Sequence, residues 1–142
     1  MTNKLKLIID TNVLLVSISE HSKYHWLYQA LIQGKIMLYI TNEILSEYSE
    51  KLSEKLNLQT ALTTIRTLTE LDNVLQISVF YRFNLIQADP DDNKFVDCAI
   101  AANADWLITN DKHFNILKTI DFPPVNIIRL EDFEKLFADS LK

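Results

Sequence analysis

Leu5-Lys6-Leu7-Ile8-Ile9-Asp10-Thr11-Asn12 is an apolar, β-favouring run that ends abruptly in a carboxylate, a hydroxyl and an amide. Near-continuous Leu and Ile over so short a segment predict a strand buried on both faces, as in the centre of a parallel sheet. Asp10 then sits at its carboxyl end. In open α/β sheets that rim lines the crevice where ligands and catalytic groups collect. The same grammar recurs in Trp106-Leu107-Ile108-Thr109-Asn110-Asp111, and Asp89-Pro90-Asp91-Asp92-Asn93 opens a helix just upstream. Together these acids predict a metal site.

The rest of the chain alternates strands and helices around that first strand at residues 5–10. A loop at 17–23 leads to a helix with Ser22 as N-cap, Trp26, Leu27, Ala30 and Leu31 at helical spacing, and Gly34, the only glycine, closing its C-terminus. Residues 36–40 read as the second buried strand. Thr41 or Asn42 caps a long helix with Ile44, Leu45, Tyr48, Leu52 and Leu56 on its core stripe. Asn57 interrupts it, and Leu58, Ala61, Leu62, Ile65, Leu68 and Leu71 mark another amphipathic helix. Residues 74–77 are placed as a third strand. Residues 79–86 suit a strand, a short helix or a packed loop. Pro90 favours a helix start at 91–93, followed by a strand at 106–109, a short strand at 125–128 and a terminal amphipathic helix at 130–141. Strands alternating with helices argue for a parallel sheet of four to five strands, covered on both faces.

With 142 residues, 48% of them hydrophobic, the chain can bury about two-thirds of its unfolded surface in one core. Residues 1–142 are therefore expected to form a single domain. No apolar run approaches the roughly 20 residues needed to span a bilayer, and Met1-Thr2-Asn3-Lys4 leads straight into the first strand, so a cytoplasmic protein is expected. Cys98, the one cysteine, lies in an apolar helical pattern that favours an inert buried thiol. The net charge of −5 counts against a broad basic footprint for nucleic acid. It leaves room for a local one, because acids that converge on bound cations reverse the field around them.

Two like charges about 4 Å apart repel by roughly 4 kcal/mol at an effective dielectric of 20. Carboxylates gathered at one rim therefore need protons or a cation. Hard oxygen ligands favour Mg²⁺ or Mn²⁺, which keep waters and bridge to substrate phosphate, the chemistry of phosphodiester hydrolysis. Each acid also has a plainer reading. Asp10 can cap the following turn, and Asp111 suits a turn. Glu47 can pair with Lys51 at i+4, although it borders the buried stripe beside Ile44 and Tyr48. Asp92 competes with Asp89 and Asp91 as a helix cap. Asp97, one and a half turns inside an apolar helix, is either exposed or recruited. His21 and His25 stand four apart but lack a third ligand for zinc, and His113 reads as surface or substrate-side. Tyr24, Tyr48 and Tyr81 are candidates to stack on a nucleotide.

The combination of residues 7–14, 43–48, 89–95 and 104–111 resembles the PIN-domain ribonuclease family, in particular its branch of VapC-like toxins of bacterial toxin-antitoxin modules. Four motifs in the right order, spanning most of the chain, carry the resemblance. It implies a three-layer α/β/α sandwich and a Mg²⁺ or Mn²⁺ site that cuts single-stranded RNA by a metal-activated water, leaving a 5′-phosphate and a 3′-hydroxyl. Residue by residue, Asp10 matches the family's first acid, Glu47 the second, Asp92 the third and Asp111 the fourth. Asp97 falls where this branch often has another metal-binding acid, and Thr11, Asn12 and Thr109 match polar residues that support the ligands. Asp89 and Asp91 lie so close to Asp92 that a small shift changes the third assignment. The resemblance also implies a small antitoxin over the cleft and a homodimer, with Lys94, Lys112 and Arg82 nearest in sequence to form a basic rim for RNA.

Rival acidic α/β folds fit less well. A haloacid-dehalogenase-type phosphatase needs an acid two positions after Asp10, where Asn12 stands. A response-regulator receiver needs paired acids near the first strand and a phospho-accepting Asp on the third. A housekeeping RNA-processing nuclease and a PIN-like module used only for binding share the same motifs.

Overall fold

A computed structural model describes residues 3–142. Five strands form one parallel sheet: β1 (Lys6–Ile9), β2 (Met37–Ile40), β3 (Val74–Gln76), β4 (Trp106–Ile108) and β5 (Ile127–Ile128), in the order β3-β2-β1-β4-β5. The helices are α1 (Thr11–Ile18), α2 (His25–Ile32), α3 (Asn42–Lys55), α4 (Leu58–Glu70), α5 (Asn93–Ala102) and α6 (Leu130–Leu141), with 3-10 turns at Pro90–Asp92 and Lys112–Thr119. Leu7, Ile8 and Ile9 in β1 and Leu107 and Ile108 in β4 are buried, as the apolar runs require.

The order of the strands positions the site. From β1 the chain steps outward to β2 and β3, then returns across the sheet to β4 and β5 on the other side of β1. Right-handed crossovers in opposite directions place their helices on opposite faces. Accordingly α5, which carries the chain from β3 back to β4, lies across β1, β2 and β4, whereas α1 packs on α2 and α2 on α6. The sheet reverses between β1 and β4, and at such a switch point the loops diverge and leave a crevice beyond the strand ends. Ile9 is in register with Ile108, so Asp10 and Thr109 emerge side by side.

Several local expectations shift. After Asp10 the chain turns at once into α1, which takes Ser17 and Ile18 from the expected loop; Thr11, Val13, Leu14 and Ser17 form its buried side. The apolar run at 13–16 hid this helix, because Val16 is apolar yet exposed and blurs the helical period. Tyr24, not Ser22, is the N-cap of α2, and Ser22 Oγ accepts from the Tyr24 amide at 3.1 Å. Thr41 caps α3 by accepting from the Ile44 amide at 3.2 Å. Asn57 both ends α3 and caps α4, its side chain accepting from the Thr60 amide at 2.7 Å. Leu56, Leu58 and Leu62 are exposed: Leu56 is the C-cap of α3, and Leu58 and Leu62 lie off the face of α4 that buries Ala61, Thr64 and Leu68. Residues 77–89 form a loop rather than a strand or helix. Gly34 has a φ of +76°, the left-handed position expected just past a helix end.

The buried apolar side chains form one cluster. Among the described residues no helix is long and apolar enough to cross a membrane. Cys98 is buried, and burial pushes its thiol up to about 12, the behaviour of an inert side chain. One polar residue ties two layers together: the buried Asn73 amide donates to the carbonyls of Leu31 and Ile36, both at 2.8 Å. Asn73→Ala leaves those two carbonyls short of donors and is expected to destabilise the protein by about 2–3 kcal/mol. The reading is a lower urea midpoint at unchanged m-value; an unchanged midpoint would show that water replaces the amide.

Candidate metal centre

Asp10 is held at the switch point by both neighbouring strands. Its amide donates to Ile108 O at 3.0 Å, and its Oδ2 accepts from the Thr109 hydroxyl at 2.7 Å. Although Asp10 occupies the N-cap position of α1, its side chain makes no capping hydrogen bond there, so the plainer capping role is not the one it plays. The residue is 7% exposed. Burial pushes its carboxyl above the ordinary value; the Thr109 hydroxyl and the Thr11 amide oppose this, and the charges of Glu47 and Asp111 add to it.

Glu47 reaches the same rim from α3, one turn after the buried Ile44 and beside the fully buried Tyr48, whose hydroxyl donates to the Ile9 carbonyl. Thr11 donates its hydroxyl to Glu47 Oε2. Lys94 Nζ lies 2.7 Å from Glu47 Oε1 and 2.9 Å from Asp91. The i+4 partner suggested by the sequence is engaged elsewhere, since Lys51 pairs with Glu54. Lys94 is therefore no part of an open basic rim: its side chain is 11% exposed. Burial pulls its pKa down, but the hydrogen bonds to Glu47 and Asp91 outweigh that and hold it above the ordinary value.

Asp92 closes the 3-10 turn that starts α5 and makes no capping bond. Among the described residues its Oδ2 is the one buried side-chain oxygen or nitrogen without a hydrogen-bond partner. Its carboxyl is pushed up to about 7, first by burial and then by the negative charges of Asp89, Asp111, Asp10 and Glu47. The adjacent acids divide the work: Asp89 caps the turn by accepting from the Asp91 amide at 3.2 Å, and Asp91 faces Lys94. Asp111 follows β4, its amide donating to Thr109 Oγ1 at 3.1 Å and its Oδ1 accepting from the His113 amide at 2.9 Å. It thus fills its turn role while its charge reaches Asp10 and Asp92.

Two sequence candidates lie apart from this group. Asp97 is buried, its Oδ1 accepts from the Phe83 amide at 3.1 Å, and Arg82 and Glu43 are its charged neighbours, so it braces the 77–89 loop. Asn12 is exposed on the first turn of α1. His113, which the sequence left as surface or substrate-side, stands 3.5 Å from Asp111 and 3.9 Å from Asp92 through Nδ1. Asp89, Asp92 and His113 can offer three ligand atoms within 4.8 Å of one another. The 3-10 turn after Asp111 brings His113 back towards Asp92, a placement that strand-and-helix periodicity does not signal. His25 Nδ1 lies 2.8 Å from the Ser17 carbonyl.

Four carboxylates thus meet at the switch point with one cation, Lys94, against Glu47. Their donor set is hard oxygen with an imidazole at its edge. An orphaned buried carboxylate oxygen within a cluster of like charges is the arrangement that a divalent cation relieves, so these residues fit Mg²⁺ or Mn²⁺.

A family model described as the PIN domain matches residues 6–113. No curated protein sequence gives a match. Among solved structures, VapBC2 from Rickettsia felis, bound to a DNA fragment from its promoter, superposes with a TM-score of 0.61 at 20% identity, covering 88% of this chain and 98% of that one. DNA-bound VapBC from Salmonella typhimurium gives 0.59 at 18% identity with the same coverage. The PIN domain endonuclease Utp24 gives 0.51 at 18% identity, covering 88% of this chain and 84% of that one. A family match over most of the chain, on a five-stranded parallel sheet whose acids gather at the switch between β1 and β4, establishes that this protein belongs to the PIN-domain family of nucleases.

Proposed function

We propose that the protein is a Mg²⁺- or Mn²⁺-dependent endoribonuclease for single-stranded RNA and the toxin of a toxin-antitoxin module. The observation that carries this reading is the Asp92 Oδ2 atom, buried without a partner among the charges of Asp10, Glu47 and Asp111. Asp10, Asp92 and Asp111 would hold the ion, with Glu47 completing the shell directly or through water. Asp97 is assigned to the loop it braces. When bound, the ion supplies charge neutralisation, polarises the phosphoryl group and activates the attacking water.

The chain's own residues orient this set. Thr109 fixes the Asp10 carboxylate, and Thr11 with Lys94 fixes Glu47. Tyr48 secures the end of β1 through the Ile9 carbonyl. His113 Nδ1 stands at the edge of the site, 3.9 Å from Asp92 and 3.5 Å from Asp111. Coverage of 98% of both matched VapBC chains favours the toxin over the alternative of an RNA-processing nuclease. On this reading the protein is cytoplasmic, a small antitoxin occludes the acids, and the toxin is a homodimer.

Labelled single-stranded RNA incubated with Mg²⁺ or Mn²⁺ should be cleaved by wild type and spared in chelator. Asp92→Asn should lower the rate by about 100-fold or more, since even outer partners of a metal are worth 10–100-fold. Metal-independent cleavage, or undiminished cleavage by Asp92→Asn, would sink the assignment of Asp92. Thr109→Val, which frees the Asp10 carboxylate, should weaken the ion about 10–100-fold in a titration.

The raised Asp92 pKa makes a second, cleavage-free test. The folded state keeps this proton up to about pH 7, whereas the unfolded chain releases it near pH 4. The native state therefore binds more protons than the unfolded state between those values, and Asp92 costs stability increasingly as pH rises from about 4 to 7. Metal-free Asp92→Asn should melt above wild type at pH 8, with the difference gone near pH 4. Added Mg²⁺ should raise the wild-type melting temperature and leave the variant nearly unmoved. A pH-independent gap would mean that Asp92 is ionised in the native protein throughout.

A further inference from the structure

The loop between β3 and α5 displays aromatic rings where a folded chain would ordinarily hide them. Phe80 is 95% exposed and Tyr81 68% exposed. This is not a loose segment. The Ile77 amide donates to Ile40 O at 2.8 Å, the Phe83 amide to the buried Asp97, and Asn93 clasps Ile86 through both its amide and its carbonyl at 2.9 and 2.8 Å. Asn84, with a φ of +53°, makes the turn between these anchors, a conformation Asn tolerates better than other side-chain-bearing residues. Phe83 packs edge-on against Tyr81 at 4.5 Å and steadies its ring. The rings are therefore presented by a braced backbone.

Beside them opens a cavity of about 520 Å³. Val79 and Arg82 both line it, and Phe80 and Tyr81 lie between them in sequence. Its lining also includes Asp91 and Lys94, and Lys94 is the residue that grips Glu47. The walls carry amides and hydroxyls, among them Asn42 and Ser78. Arg82 contacts Glu43 at 3.1 Å, with both side chains largely exposed, and such a pair is worth too little to keep the guanidinium from a better partner.

We infer that Phe80 and Tyr81 form a stacking platform for unpaired bases of single-stranded RNA, with Arg82 on the backbone phosphate, on the loop beside the cavity that Arg82 and Lys94 line. This rests on the ribonuclease reading and adds the residues that hold the strand. A protein of net charge −5 has little counterion release to draw on, whereas base–aromatic stacking holds a strand without a basic surface. A protein partner for the patch is disfavoured by what lies next to it, a polar cavity with an arginine on its wall and carboxylates beyond.

The test uses the full chain carrying Asp92→Asn, with chelator present, and a fluorescent 10-nucleotide single-stranded RNA followed by anisotropy. Phe80→Ala and Tyr81→Ala should each weaken binding about 10- to 100-fold, and Phe80→Trp should retain it. Phe122→Ala removes another exposed ring, 84% exposed but bordering an apolar cleft, and should leave affinity unchanged. Melting temperatures should stay at the parent value for Phe80→Ala, because that ring packs on little. The logarithm of the affinity should fall with the logarithm of salt at a slope near −1, about −0.7 for each phosphate contact. Unchanged affinity in both alanine variants, a slope steeper than about −3, or no binding by the parent would overturn the platform. Altered sedimentation of Phe80→Ala with unaltered RNA affinity would also overturn it and assign the patch to a protein contact. Turnover plays no part in this assay, so a wild type that binds but never cleaves would remove the ribonuclease reading and leave the platform standing.

Discussion

The hydrogen bond from the Thr109 hydroxyl to Asp10 Oδ2, at 2.7 Å, is the contact on which the site depends. It joins the ends of β1 and β4, the two strands between which the sheet reverses direction, and it holds a 7%-exposed carboxylate in place. A carboxylate so buried is costly unless hydrogen-bonded. One hydroxyl and one amide offset only part of that cost, and burial still pushes the carboxyl upward. The remaining imbalance is what makes the crevice receptive to a cation.

The surrounding acids illustrate how one cluster divides its electrostatic labour. Glu47 is neutralised locally by Lys94 and held by Thr11, whereas Asp92 has no such partner for Oδ2. The protein therefore keeps one arm of the cluster rigid and leaves another exposed to repulsion from four neighbours. Stability is sacrificed where binding chemistry is needed, the pattern expected of a preorganised site. Asp89 and Asp111 serve as helix and turn caps while contributing charge, so local backbone needs and the field at the site are met by the same residues.

The 77–89 loop extends this logic beyond the acids. Asp97 and Asn93, both buried in α5, use their side chains to hold the loop's backbone amides. The first turns of α5 thus present Asp92 on one side and fix the loop on the other. A displacement of α5 would disturb the candidate ligand and the aromatic rings together. Lys94, also in these turns, links the cavity wall to Glu47, so loop, cavity and acidic rim are mechanically continuous.

By itself the sequence determined the parallel α/β architecture, because the apolar runs at 5–9, 36–40 and 106–108 can be buried only on both faces and the helical stripes between them cover those faces. It also marked Asp10 and Asp111, since each lies just past the end of such a strand. Only the tertiary structure decided the rest. Periodicity cannot say which strand lies next to which, and the β1–β4 adjacency that joins Asp10 to Thr109 spans 99 residues. Nor can it show that Asp97 faces the Phe83 amide, that Lys94 is enclosed by Glu47 and Asp91, or that His113 returns to Asp92. Those facts follow from how elements distant in sequence converge in space, and a side chain's partner is chosen by that convergence rather than by its own turn of helix.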